Sequence, residues 1–161
     1  MLAWSLVRHE HGIAASIFLV IAASDWVDGF IARRFHATSR LGAALDPVAD
    51  KLSMFIATLI LAMQHLLPFW LAAAIIARDV IIVLGAAAYR AVVGSIEFTP
   101  TWLSKANTAL EFALLLAVMA SAAGWIPGER WQQPAFAIVF ASVVASGAQY
   151  VWLWGRKALR R

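Results

Sequence analysis

The sequence predicts an all-α fold, a polytopic transmembrane bundle of about five spanning helices. Three observations carry that expectation: 63% of the 161 residues are hydrophobic, only 14% are charged, and the apolar residues gather in five long runs without period-two alternation. Soluble domains hold roughly 45–50% apolar and 25% charged residues, so the bilayer is the expected solvent. In a bilayer core each backbone N–H and C=O must find its partner inside the protein, which leaves helices or a closed barrel. Barrel strands alternate apolar and polar residues, and these runs do not.

The first run spans Gly12 to Ile31, the second Leu45 to Leu67 and the third Phe69 to Ala88. The fourth runs from Leu103 to Trp125 and the fifth from Ala135 to Leu153. Each is close to the roughly 20 residues that cross a hydrocarbon core. Between them lie a basic connection with Arg33, Arg34 and Arg40, a tight turn at Leu66 to Pro68, a polar stretch from Arg90 to Pro100, and a turn containing Pro127, Gly128 and Pro134. Nothing in this order resembles an interdomain linker, so residues 1–161 are expected to form a single transmembrane domain.

Lysine and arginine concentrate in the first connection, in the Arg90 to Lys105 connection and in the Arg156 to Arg161 tail, whereas the turns near Pro68 and Pro127 are poor in them. The positive-inside rule therefore places the basic connections and the C-terminus in the cytoplasm, and five crossings leave Met1 outside. Trp70, Trp125 and Trp131 then fall at the outer interface and Trp102, Trp152 and Trp154 at the inner one, where amphipathic rings are favoured. The formal charge of +4 is explained by these juxtamembrane groups, and no nucleic-acid partner is expected. With no cysteine, thiolate catalysis, disulfides and thiolate metal sites are excluded.

Chemistry is expected where the first two runs approach the cytoplasm. Asp25 and Asp28 are three residues apart and Asp46 and Asp50 four apart, which puts each pair on one face of its helix. A single aspartate near a helix end has an ordinary explanation as a cap or a snorkelling group. Four ionisable groups at regular spacing in apolar segments do not, because each costs at least roughly 2.5–3.5 kcal/mol to insert. Such a cluster repels itself in a low dielectric unless cations neutralise it, and hard oxygen donors select Mg²⁺, Mn²⁺ or Ca²⁺. Gly29, Ala32, Gly42, Ala43, Ala44 and Ala49 are interleaved with the aspartates, leaving space for a ligand or allowing close helix approach.

From Asp25 the chain reads D-W-V-D-G-F-I-A-R, eight residues, then G-A-A-L-D-P-V-A-D to Asp50. This is similar at all eight fixed positions to the signature of the CDP-alcohol phosphotransferases, D-x2-D-G-x2-A-R-x8-G-x3-D-x3-D. The resemblance implies transfer of a substituted phosphate from a CDP-linked lipid to an alcohol, with CMP leaving and two divalent ions, Mg²⁺ or Mn²⁺, as cofactors. It implies that Asp25, Asp28 and Asp46 hold metal, that Asp50 is a further ligand and the catalytic base, and that Asp28, Gly29, Ala32, Arg33 and Gly42 line the CDP site. It also implies a homodimer in a bacterial cell membrane, with the site facing the cytoplasm. Family members usually have six spanning helices, so the chain is expected to lack the first of them.

The stretch Leu41 to Leu52 resembles the branch that contains phosphatidylglycerophosphate synthases and CMP-forming cardiolipin synthases. Ala77 to Ile81 and Pro100 to Ala109 look more like the cardiolipin synthases, because Asn107 stands where the other group usually carries a second lysine. The expected donor is CDP-diacylglycerol and the expected acceptor phosphatidylglycerol, with glycerol 3-phosphate as the alternative. Arg78 and Lys105 are candidate anion ligands for acceptor or phosphate; the ordinary alternatives are pairing with Asp79 and with interfacial lipid respectively. Glu111 is expected to pair with a neighbour or face a polar crevice, and His9, His11, His36 and His65 to play interfacial roles. An inactive membrane homologue and a divalent-cation transporter are the readings of other classes; the transporter requires polar residues along a path across the bilayer, which the sequence does not display apart from Glu111.

Overall fold

The computed structural model describes the backbone of residues 1–35, 42–93, 101–128 and 130–159, and side chains within 1–24, 51–85, 101–128 and 130–153. Six helices follow one another: α1 (Leu2–Val7), α2 (His11–Phe35), α3 (Gly42–Met63), α4 (Phe69–Val93), α5 (Trp102–Ala122) and α6 (Gln132–Leu159). The five long ones correspond to the five apolar runs, and no strand occurs among the described residues. Two of them, α5 over Trp102–Ala122 and α6 over Gln132–Leu153, are long and apolar enough to cross a membrane, and α2 and α3 contribute shorter apolar stretches at His11–Ser24 and Lys51–Met63. Outward-facing Ile138, Phe140, Val144 and Val151 on α6 and Val80, Ile81, Val83 and Leu84 on α4 give these helices the apolar exterior that lipid contact demands.

Helix ends follow from local chemistry. At the start of α5, Thr101 is the N-cap: its Oγ1 accepts from the Ser104 N–H at 3.2 Å and its carbonyl accepts from the Lys105 N–H at 3.1 Å. Pro68 precedes α4 and offers its carbonyl to the amides of Leu71 and Ala72. Three helices stop in the same way, on a residue with left-handed backbone: His9 (φ 60°) after α1, His65 (φ 59°) after α3 and Gly124 (φ 76°) after α5. In each case the next amide reaches back five residues, Glu10 to Ser5, Leu66 to Leu61 and Trp125 to Ala120, so carbonyls that would be orphaned are satisfied.

The chain forms two compact units. The first comprises Met1–Leu67 and Leu115–Gly128, the second Pro68–Leu114 and Glu129–Arg161. In the first, α1 packs against both α2 and α3, and the core is apolar: Leu2, Leu6, Phe18, Leu61, Leu115 and Met119 are buried together with Ala14, Ala15, Ala57 and Ala62. Trp125 lies over Gly12, where an added Cβ would come within 3.3 Å of the indole. In the second unit α4 packs against α6 around Leu71, Ile75, Phe136, Val139 and Val143, and Trp70 meets Phe140 edge to face.

Candidate functional site

The signature falls on two helices of the first unit. Helix α2 carries Asp25, Asp28, Gly29, Ala32 and Arg33, and α3 opens at Gly42 and carries Asp46 and Asp50. The side chains of these eight residues lie outside the described residues, as does His36. What the structure supplies here is the scaffold: both aspartate-bearing helices are regular, and the short α1 packs on each. Gln64, just past α3, donates from Nε2 to the Leu6 carbonyl at 2.6 Å and so joins α1 to the end of α3.

Arg78 and Lys105 belong to the second unit and differ sharply in surroundings. Arg78 is 4% exposed, with Nη1 on Asp79 Oδ1 at 2.6 Å and Nη2 shared between Ser104 Oγ at 2.7 Å and Ser146 Oγ at 2.8 Å. The pairing with Asp79 considered from sequence is therefore present. Lys105, the residue after Ser104, is exposed on α5.

Sequence reading missed the arrangement around Arg78. Thr101 Oγ1 donates to Gln149 Oε1 at 2.9 Å, Ser104 and Ser146 meet on Arg78, and Ser142 Oγ donates to Asn107 Oδ1 at 2.7 Å. Asn107 Nδ2 in turn donates to Glu111 Oε1 at 2.6 Å. These contacts form an antiparallel polar ladder between α5 and α6, with Arg78 of α4 at its middle rung. Asn107, Glu111 and Ser146 are almost wholly buried. Polar groups removed from water and lipid must be paired, and here the amide of Asn107 is engaged at both ends. The residues stand at helical spacing, Thr101 at the N-cap with Ser104, Asn107 and Glu111 on α5, and Ser142, Ser146 and Gln149 on α6, but neither stripe announces in sequence which helix it faces.

The chain is all-helical among its described residues, with apolar exteriors on its long helices and the aspartate signature on the consecutive helices α2 and α3, features of a membrane-associated protein with a carboxylate site. The family model for CDP-alcohol phosphatidyltransferase matches residues 1–152, and the chain belongs to that family. It is 36% identical over 152 residues to a cardiolipin synthase (CMP-forming) / mitochondrial hydrolase fusion protein of Schizosaccharomyces pombe, covering 85% of this chain and 26% of that one. It is 35% identical over 136 residues to a CDP-diacylglycerol–glycerol-3-phosphate 3-phosphatidyltransferase of Yersinia enterocolitica, covering 82% of this chain and 71% of the relative. A protein with the same name from Blochmanniella floridana is 37% identical over 112 residues, covering 68% of this chain and 58% of the relative. The family is one of divalent-metal-dependent membrane enzymes, and the apolar helices described above associate this chain with the membrane.

Proposed function

We propose that the chain transfers a phosphatidyl group from CDP-diacylglycerol to glycerol 3-phosphate and releases CMP. The observation that carries this is the complete signature from Asp25 to Asp50, set on two helices that pack against one short helix. The match to residues 1–152 supports reading the chain as one transferase domain.

The acceptor is where the comparisons redirect the sequence reading. The names of the Yersinia and Blochmanniella relatives favour glycerol 3-phosphate, the alternative, over phosphatidylglycerol. The structure weakens the reason for the first choice as well. Asn107 is not a cation missing from a binding surface; it is a buried rung between Ser142 and Glu111.

In the proposed reaction the acceptor hydroxyl oxygen attacks the phosphorus that bears diacylglycerol. The bond from that phosphorus to the bridging oxygen breaks, and CMP departs with the electron pair. Asp50 takes the hydroxyl proton, since a positioned carboxylate can accept it as the new P–O bond forms. Asp28, Gly29, Ala32, Arg33 and Gly42 would hold the CDP moiety, and Lys105 would attract the acceptor's phosphate. Among the described residues no group of three or more His, Asp or Glu side chains could hold a metal ion. The oxygen donors of Asp25, Asp28, Asp46 and Asp50 fit hard divalent cations, Mg²⁺ or Mn²⁺. When bound, two such ions would clamp the pyrophosphate and offset charge on the leaving CMP oxygen. A multi-pass homodimer with its site at the cytoplasmic face of a bacterial cell membrane completes the reading, supported by the distribution of lysine and arginine.

The test is CMP release by the purified chain in lipid–detergent micelles with CDP-diacylglycerol, Mg²⁺ or Mn²⁺, and either acceptor. Turnover with glycerol 3-phosphate is expected, falling about 10²–10⁴-fold in Asp50→Asn. Turnover with phosphatidylglycerol alone would reverse the acceptor assignment.

A further inference from the structure

The turn between α1 and α2 carries a pair of imidazoles that the aspartate signature does not use. His9 stands in it at φ 60°, a left-handed backbone that glycine adopts freely and a residue with a Cβ adopts at a cost. The turn is held by the His9 amide donating to the Leu6 carbonyl at 3.0 Å and the Glu10 amide donating to the Ser5 carbonyl at 2.9 Å. It brings the His9 ring beside that of His11, the first residue of α2, with ring centres 5.7 Å apart and planes at 80°. Nδ1 of His11 is buried with no hydrogen-bond partner, and a buried polar atom left so calls for something to bond it. Both histidines line an open cleft of about 440 Å³ together with Gly12, Ala122, Ala123 and Trp125, all of the first unit.

We propose that His9 and His11 bind one Zn²⁺, or an ion of the same class such as Cu²⁺ or Ni²⁺, at the end of α2 away from the aspartates, with water in the cleft completing its coordination. Two imidazoles bonded to one ion at about 2.0–2.1 Å have ring centres at most about 6.4 Å apart, so the observed 5.7 Å lies within reach. Glu10 lines the same cleft, but its carboxylate lies 3.8 Å from Arg8 Nε. Two donors, not three, are therefore what the described side chains bring together. Imidazole nitrogen suits Zn²⁺, Cu²⁺ and Ni²⁺, whereas Mg²⁺ takes oxygen. Asp25 and Asp28 follow His11 by 14 and 17 residues on the same helix, roughly 21 and 26 Å along its axis. The imidazole site is thus separate from the carboxylates in place and in chemistry, and it stands whichever acceptor the chain uses.

Calorimetric titration with Zn²⁺ tests this on the whole chain, purified without a histidine tag in micelles that hold Mg²⁺ in large excess to occupy the carboxylates. One saturable site per chain is expected. His9→Gln and His11→Gln should each weaken it at least about tenfold, since even changes behind the ligands cost that much. His65→Gln, at the other left-handed histidine, should leave it within about twofold. His9→Gly removes the imidazole while relieving the backbone, so it should melt no lower than the unaltered chain without zinc and still lose the site. Loss of binding in that variant cannot be ascribed to misfolding. Pulsed electron paramagnetic resonance of the Cu²⁺ form should show two imidazoles on the ion, and one in each single variant. The proposal is overturned if the unaltered chain binds no Zn²⁺ beside Mg²⁺, if binding survives any of the three changes at His9 and His11, or if the Cu²⁺ form shows fewer than two imidazoles.

Discussion

The two units of the chain are held together by different forces. In the first, the buried side chains among the described residues are mostly leucines and alanines with Phe18, Val118 and Met119; Thr58 and Ser5 are the buried hydroxyls there, and that of Ser5 stays within its own helix, donating to the Leu2 carbonyl at 2.9 Å. In the second, an apolar layer between α4 and α6 is joined by the ladder that ties α5 to both. In lipid, helices gain little by hiding apolar surface from one another, since the surroundings are equally apolar. Close packing of small residues and interhelical hydrogen bonds do the work, and among the described residues the side-chain hydrogen bonds between helices are concentrated in the second unit. The unit bearing Arg78 and Lys105 gains orientation, because hydrogen bonds have direction and packing has little.

Truncation experiments can break or sharpen this contrast. Leu61 is fully buried in the first unit, and Leu61→Ala is expected to cost about 2–5 kcal/mol of stability, read from unfolding in micelles. Asn107→Ala in the second unit should cost less, about 0.6–1.7 kcal/mol, the range for interhelical hydrogen bonds in membranes. Equal losses would mean that the ladder is as much a packing core as the first unit, and the contrast would fail. The smallest effect concerns acid. Burial, with a further contribution from neighbouring His9, holds the His11 imidazole below its ordinary value of 6.5. The unfolded chain therefore binds a proton that the folded chain refuses, so stability falls as pH drops below about 6.5 toward the folded value. His11→Gln is expected to flatten that part of the melting-temperature profile while leaving the profile above neutrality unaltered.

Much of the fold was legible because spanning helices must be long and apolar: the run predicted at Phe69 to Ala88 is α4, and that at Leu103 to Trp125 is α5 followed by its cap. Gly124 could be anticipated as a helix stop. His9 and His65 could not, since nothing in a histidine announces left-handed backbone. The six-residue α1 was also missed, being shorter than any periodic signal can mark. The signature was wholly legible because its chemistry needs fixed residue types at fixed spacing. The ladder was not, because serine, threonine and asparagine read as ordinary helix-surface residues until a partner helix is known. Asn107 shows the cost of that blindness: read alone it suggested an acceptor preference, and read with Ser142 and Glu111 it is part of the framework.

Helix α1 owes its existence to residues distant in sequence. Six residues are too few to sustain a helix unaided. Its C-terminal carbonyl at Leu6 is met by Gln64, and its inner face, Leu2, Ser5 and Leu6, is buried on α2 and α3. It follows that α1 has no separate folding equilibrium: it forms once α3 is complete to Gln64 and opens whenever that contact opens. Amide hydrogen exchange at Ser5 and Leu6 thus times the assembly of the scaffold beneath the aspartates, reporting on a neighbouring event from residues that take no part in the chemistry.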